Sequence, residues 1–124
     1  MKREQKIQRA IRALDEFRRG VRETAPVDMD LLETERGLLE VLKALGRECM
    51  AEALERADTK AAVIEYRGEQ WGNRRESPGT YTSMFGDSEV VRSIYSRGGG
   101  GKVAVPLDLR LGIVERVRLF SRLT

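Results

Sequence analysis

The sequence predicts an α+β fold: two amphipathic N-terminal helices (a short basic one and a long one), then a small antiparallel β hairpin or meander, then a C-terminal helix. Three observations carry this. Residues 1–57 repeat apolar side chains at helical spacing. Residues 61–97 gather β-branched and aromatic residues into short runs punctuated by glycine and proline. After Pro106, residues 107–123 return to helical spacing. The expected organisation is a helical arm over 1–57, a β-rich module over 58–106 and a last helix over 107–124. A chain of 124 residues suits one small domain with such an arm.

In the first helix, residues 3–19, Ile7, Ile11, Leu14 and Phe17 fall on one face among Lys, Arg, Gln, Glu and Asp. Gly20 can end it, and Pro26 separates it from the next element. Its basic face either touches phosphate or is simply solvated. The second helix spans residues 28–57, with Asp30 and Glu33 placed at its positive end. Leu31, Leu38, Leu42, Leu45, Cys49 and Ala53 follow one another at steps of seven, four, three, four and four, which lines them up as a stripe. Leu32, Leu39 and Met50 widen it. A stripe this wide requires a cover. The first helix and the β segment are the nearest candidates, and a second copy of the chain is the alternative. Gly37 and Gly46 lie inside the pattern, each costing roughly 1 kcal/mol against alanine. They are expected to kink the helix or to admit a neighbouring backbone. Cys49 reads as a small buried hydrophobe, since no electropositive pocket surrounds it to activate a thiol.

Asp58 to Lys60 breaks the helix, and residues 61–67 read as a strand ending at Gly68. Residues 69–75 hold Trp71 and two arginines, and Ser77-Pro78-Gly79 reads as a turn. Residues 80–85 form the next strand by composition, Gly86-Asp87 supplies the positive φ of a hairpin turn, and residues 88–97 return. On that return Val90, Arg92 and Ile94 share one face, and Val91, Ser93 and Tyr95 the other. Arg92 would snorkel at the sheet edge or pair with an acid. Gly98 to Gly101 reads as a flexible connector. A phosphate-binding loop requires Ser or Thr after its Gly-Lys, and here Val103 follows Gly101-Lys102. Residues 103–105 form a short strand that Pro106 ends.

Composition narrows the function. One cysteine and no histidine exclude a disulfide framework and a Cys/His zinc site within the chain. No paired carboxylates and no histidine-activated nucleophile stand at useful spacing, so no catalytic, metal-binding or cofactor-binding residue is assigned, and no small-molecule substrate is expected. There is no apolar run long enough to span a membrane and no secretory leader, which places the chain in the cytoplasm. Charge is uneven: net +4 over residues 1–20, −4 over 21–60 and +3 over 61–124. Basic ends suit a nucleic-acid partner, although ordinary soluble proteins share this pattern. The side chains picked out to meet DNA phosphate are Arg74, Arg75, Arg92, Arg97, Lys102 and Arg110. The Leu31/Leu38/Leu42/Leu45 stripe is the candidate for pairing with a second copy or another protein.

One ordered set of motifs goes further. Tyr81, Met84-Phe85-Gly86, Val90, Arg92 and Tyr95, then Pro106-Leu107-Asp108-Leu109-Arg110 and Gly112-Ile113-Val114-Glu115, resemble the N-terminal region of insertion-sequence transposases of the ISKra-four family, and more distantly ISLre-type transposases. The resemblance covers about residues 76–115. It implies a region preceding an RNase H-like core, whose three magnesium-binding acids lie downstream of the Pro-Leu-Asp motif. No residue here inherits a catalytic role, and Asp108 matches only the motif aspartate. Related sequences often carry cysteine pairs near the β region; here Arg97 and the glycine run occupy that place, so no metal is implied. After Glu115 the sequence diverges from the family and ends, as a frameshift or premature stop in a mobile element would leave it. The expectation is a transposase fragment, inactive alone, that binds DNA, itself or a full-length transposase.

Overall fold

The computed structural model describes residues 2–97 and 101–112; Gly98 to Gly100, Ile113-Val114-Glu115 of the motif set and the rest of the last expected helix lie outside the described residues. The elements in order are α1 (Arg3–Glu23), a single 3-10 turn (Pro26–Asp28), α2 (Leu31–Ala57), β1 (Ile64–Tyr66), β2 (Glu69–Ser83), β3 (Gly86–Ser96), β4 (Val103–Ala104) and α3 (Pro106–Leu111). N-terminal helices, a four-stranded antiparallel sheet in the order β1-β2-β3-β4 and a short C-terminal helix make the chain α+β. It divides into two compact units, one of Met1–Glu52 with Thr80–Ser88, the other of Ala53–Gly79 with Glu89–Thr124.

In the first unit α1 does not stop at Gly20. It continues to Glu23, and Thr24 closes it by donating its N–H and its hydroxyl to the Gly20 carbonyl, at 3.1 and 2.7 Å. A single glycine costs too little to end a helix whose next turn is already capped. The start of α2 is set by Asp30, whose Oδ1 accepts the N–H groups of Leu32 and Glu33 at 3.0 and 3.1 Å. The two helices run antiparallel: Arg3 pairs with Glu48 at one end, and the Phe17 ring lies over Gly37 at the other. The tip of the β2–β3 hairpin repeats the device, with the Phe85 ring over Gly46. Arg47 Nη1 donates to the Phe85 carbonyl at 3.0 Å, and the Ser88 hydroxyl donates to the Arg47 carbonyl at 2.8 Å. Both helix glycines therefore admit aromatic rings and not another backbone.

That choice reverses the expected burial of α2. Its covered row is Thr34, Gly37, Val41, Ala44, Glu48 and Ala51. The leucine stripe faces outward: Leu31 is 76 % exposed, Leu32 56 %, Leu38 37 %, Leu39 50 % and Leu42 43 %. Leu45 is half-buried, and Cys49 is exposed and not a core residue. The physical reason is volume. The Phe17 ring fits only where the helix surface is cut back to Gly37, so the row that holds Gly37 meets α1 and the leucines turn away from it; Gly46 lies one turn after Leu42 on the leucine side, and Phe85 covers that side there.

The hairpin turn also moves. The loop is Met84–Phe85, and Gly86, at φ +110°, opens β3. Asp87 is used across the hairpin, its carboxylate accepting the Thr82 hydroxyl at 2.6 Å. Ser77-Pro78-Gly79 is no turn, because β2 runs straight through it. Arg92 Nη1 donates to the carbonyls of Ser77 and Pro78 at 2.9 and 2.6 Å, and its guanidinium lies across the open surface of Gly79. The arginine thus supplies hydrogen bonds to a segment where proline cannot donate one.

In the second unit β1 and β2 join through Arg67-Gly68, both at positive φ (55° and 75°), as a two-residue hairpin loop demands. Their register pairs Ile64 with Trp71 and Tyr66 with Glu69. β4 pairs with β3 through Tyr95↔Ala104 and Ser96↔Val103. Tyr66, Trp71, Tyr95, Ala104 and Leu109 form the core, with Ile64 packed against it. The segment leaving α2 is tied to β3 by polar bonds. Ser93 N–H donates to Asp58 Oδ2 at 2.7 Å, the Ser93 hydroxyl donates to the Thr59 carbonyl at 2.7 Å, and the Tyr95 hydroxyl donates to the Ala61 carbonyl. α3 starts on Pro106, a favoured first helical residue, and buries Leu107 and Leu109. α3 is capped by Gly112, which takes the left-handed conformation (φ 73°), and the rest of the helix expected over 107–123 lies outside the described residues.

Two glycine substitutions should move stability in opposite directions. A Cβ on Gly20 meets nothing within 4 Å, so Gly20→Ala should stabilise by about 0.5–1 kcal/mol through helix propensity. On Gly46 it would fall 2.3 Å from Phe85 Cδ1, so Gly46→Ala should destabilise by about 1–3 kcal/mol despite the same propensity gain. Urea denaturation of the two variants beside the parent checks both signs.

Candidate nucleic-acid interface

All six basic side chains picked out for phosphate fall in the second unit. The fold uses four of them. Arg74, on β2, donates from Nε to the Ser93 hydroxyl at 2.9 Å and pairs with Glu76 at 3.3 Å. Arg92 is held by the carbonyls of Ser77 and Pro78. Arg110, on α3, donates to the Ala57 carbonyl and so satisfies an orphan acceptor at the C-terminal end of α2. Arg97 forms an ion pair with Glu69 and sits with its guanidinium carbon 5.7 Å from the Trp71 ring centre. Arg75 and Lys102 are exposed, and no hydrogen bond or ion pair engages them among the described residues.

Sheet register brings two of the six together. Ser96 pairs with Val103, so Arg97 and Lys102 stand opposite each other at the next step, one leaving β3 and the other entering β4. Beneath Arg97 lies the Trp71 ring, and Trp71 Nε1 donates to the Tyr66 carbonyl at 3.2 Å. The Tyr66 and Trp71 rings are 6.2 Å apart and tilted, and Arg67 caps Tyr66 at 5.3 Å. Arg67, at a positive-φ loop position, went unnoticed in the sequence; the Arg-Gly pair after a short strand was the available signal. Both rings are buried, so they support arginines and offer no face on which a base could stack. What remains available to a ligand is positive charge at the mouth of the β3–β4 connection and at Arg75. This suits the sugar–phosphate backbone, which carries no sequence information.

The first unit carries separate positive charge on α1. A shallow depression there is lined by Glu4, Gln5, Gln8, Arg9 and Arg12, all from one helix, so nothing closes over a bound group. Among the described residues no cluster of three or more acidic, cysteine or histidine side chains could hold a metal ion, and no helix is long and apolar enough to cross a membrane.

The different use of neighbouring arginines is measurable. Arg74→Ala should cost about 1–3 kcal/mol, because it removes a partner of the buried Ser93 hydroxyl. Arg75→Ala should stay within about 0.5 kcal/mol of the parent. Chemical denaturation of both variants decides it. Compared with known proteins, the chain matches no family model, no curated protein and no solved structure.

Proposed function

We propose that this chain is the front portion of an insertion-sequence transposase of the ISKra-four kind, and that it binds DNA and does not cut it. The observation that carries this reading is the ordered motif set running from Tyr81 through Phe85-Gly86, Val90, Arg92 and Tyr95 to Pro106-Leu107-Asp108. Six of these residues have a building task that accounts for a place in a motif. Phe85 fills the gap above Gly46, and Gly86 takes a φ of +110°. Arg92 holds the Ser77 and Pro78 carbonyls, and Tyr95 holds the Ala61 carbonyl. Pro106 starts α3, while Leu107 is buried. A motif that maintains a small β unit fits a binding region set ahead of a separate cutting centre.

The binding chemistry is electrostatic. Arg75, Lys102 and Arg97 are exposed cations, and the Arg97–Glu69 pair is open enough to solvent to be exchanged for phosphate at little cost. Arg74, Arg92 and Arg110 act by holding the unit that presents them. Binding through so few contacts is weak and tolerant of sequence, and it falls steeply as salt displaces the protein from the DNA.

A mobility-shift titration on duplex DNA at two salt concentrations tests this. The parent should bind, with affinity dropping as salt rises, and Arg75→Glu combined with Lys102→Glu should weaken binding by about tenfold or more at low salt. Unchanged binding in that double variant would remove the DNA assignment. Strand cleavage by the purified chain with magnesium or manganese would overturn the non-cutting part.

A further inference from the structure

The positive end of the second unit holds one acid. β1 finishes at Tyr66, β2 begins at Glu69, β3 finishes at Ser96 and β4 begins at Val103, so antiparallel pairing gathers these four strand ends at one end of the sheet. Arg67, Arg97 and Lys102 bring cations there, and Glu69 brings a carboxylate. Arg97 makes two contacts of different kinds. Its guanidinium lies over the Trp71 ring, with Cζ 5.7 Å from the ring centre, and its Nη2 pairs with Glu69 Oε2. The first contact needs only a positive charge above the ring, whereas the second needs the N–H groups at the guanidinium edge. Trp71 is itself fixed, being buried and donating from Nε1 to the Tyr66 carbonyl at 3.2 Å. The ring therefore keeps hold of the guanidinium when the anion at its edge is exchanged. Both members of the ion pair are half-exposed, so a large anion can reach that edge.

We propose that the Glu69 carboxylate occupies the place of a DNA phosphate: it holds Arg97 ready over Trp71 and sets the affinity by competing with the phosphate that replaces it. This inference rests on the DNA reading above and adds a residue of opposite charge to that interface. Carboxylate and phosphate present the same chemistry to an arginine, anionic oxygens that accept from the guanidinium edge. An Arg97 already oriented by one gives up little freedom in turning to the other. Lys102 stands opposite Arg97 across the β3–β4 register and is engaged by no acid among the described residues, so the arriving phosphate meets two cations. Glu69 opposes it in two ways. Its pair with Arg97 must open, which for an exposed pair costs a factor of about 1.4 to 5 in the equilibrium. The released carboxylate then stands beside a like charge and repels it. Glu69 is thus a positioning residue, acting on DNA through Arg97.

A mobility-shift titration of the full chain on one duplex at low salt tests this, with circular dichroism showing each variant folded. Glu69→Gln keeps the size of the side chain and removes its charge, and it should bind about three- to tenfold more tightly than the parent. Glu65→Gln removes the same charge from an exposed position on β1 and should stay within about twofold of the parent, which separates local competition from a general gain in positive charge. The gain must also pass through Arg97. In a chain already carrying Arg97→Gln, adding Glu69→Gln should change affinity by less than about twofold. A purely structural role for Glu69 would predict equal or weaker binding in Glu69→Gln and no dependence on Arg97. Suppose the parent binds duplex and the Arg75→Glu, Lys102→Glu double variant does not. The DNA reading then stands, and the present inference is overturned if Glu69→Gln binds no more tightly, if Glu65→Gln gains as much, or if the gain persists with Arg97→Gln. Absence of binding by the parent and by every variant would instead overturn the DNA reading, and this inference with it.

Discussion

The second unit depends on how Ser93 uses its hydrogen-bonding groups. Its N–H is taken by Asp58, its hydroxyl donates to Thr59, and the same oxygen accepts Arg74. Ser93 is fully buried, so each of these groups would be costly to leave unmet. Together they pin the chain leaving α2 against β3, and Tyr95 repeats the link one step along the same face through Ala61. The edge of β3 beyond the two-residue reach of β4 is closed at this point by a side chain and not by another strand. This lets so short a strand as β4 suffice. One buried atom of the arrangement, Asp58 Oδ1, has no hydrogen-bond partner among the described residues.

The first unit rests on a different constraint, the fit of aromatic rings into glycine gaps. Phe17 on Gly37 sets which side of α2 meets α1, and Phe85 on Gly46 covers a different side, one turn after Leu42. Because ring and gap must match, the helix cannot rotate its leucines toward α1 without losing the Phe17 contact. The leucines that precede Gly46 stay exposed.

In the second unit most of the arginines picked out for phosphate serve as scaffolding. Arg74, Arg92 and Arg110 each satisfy polar atoms of neighbouring segments, doing with a long forked side chain what a continuous strand ladder would otherwise do. Arg67 and Arg97 lie over the buried Tyr66–Trp71 pair. Counting basic residues in the sequence overstates what is free for phosphate.

The amino-acid sequence by itself determined the element types and some of their limits: the apolar period of α1, the Asp30 start of α2, the β-rich middle and the helix opened by Pro106. These are local matters of propensity, capping and alternation, and neighbouring residues suffice to decide them. Tertiary structure alone decided the rest. Both sides of α2 carry apolar residues at helical spacing, so periodicity could not say which would meet α1; the fit of Phe17 to Gly37 decided it. Ser77-Pro78-Gly79 has the composition of a turn, yet it lies within β2, where Arg92 reaches across the hairpin to its carbonyls. The same holds for the candidate interface. Its basic residues were legible by type, but whether each is free or engaged depends on partners tens of residues away, as with Arg110 and Ala57. Long-range contact, which no local pattern encodes, separates the two kinds of statement.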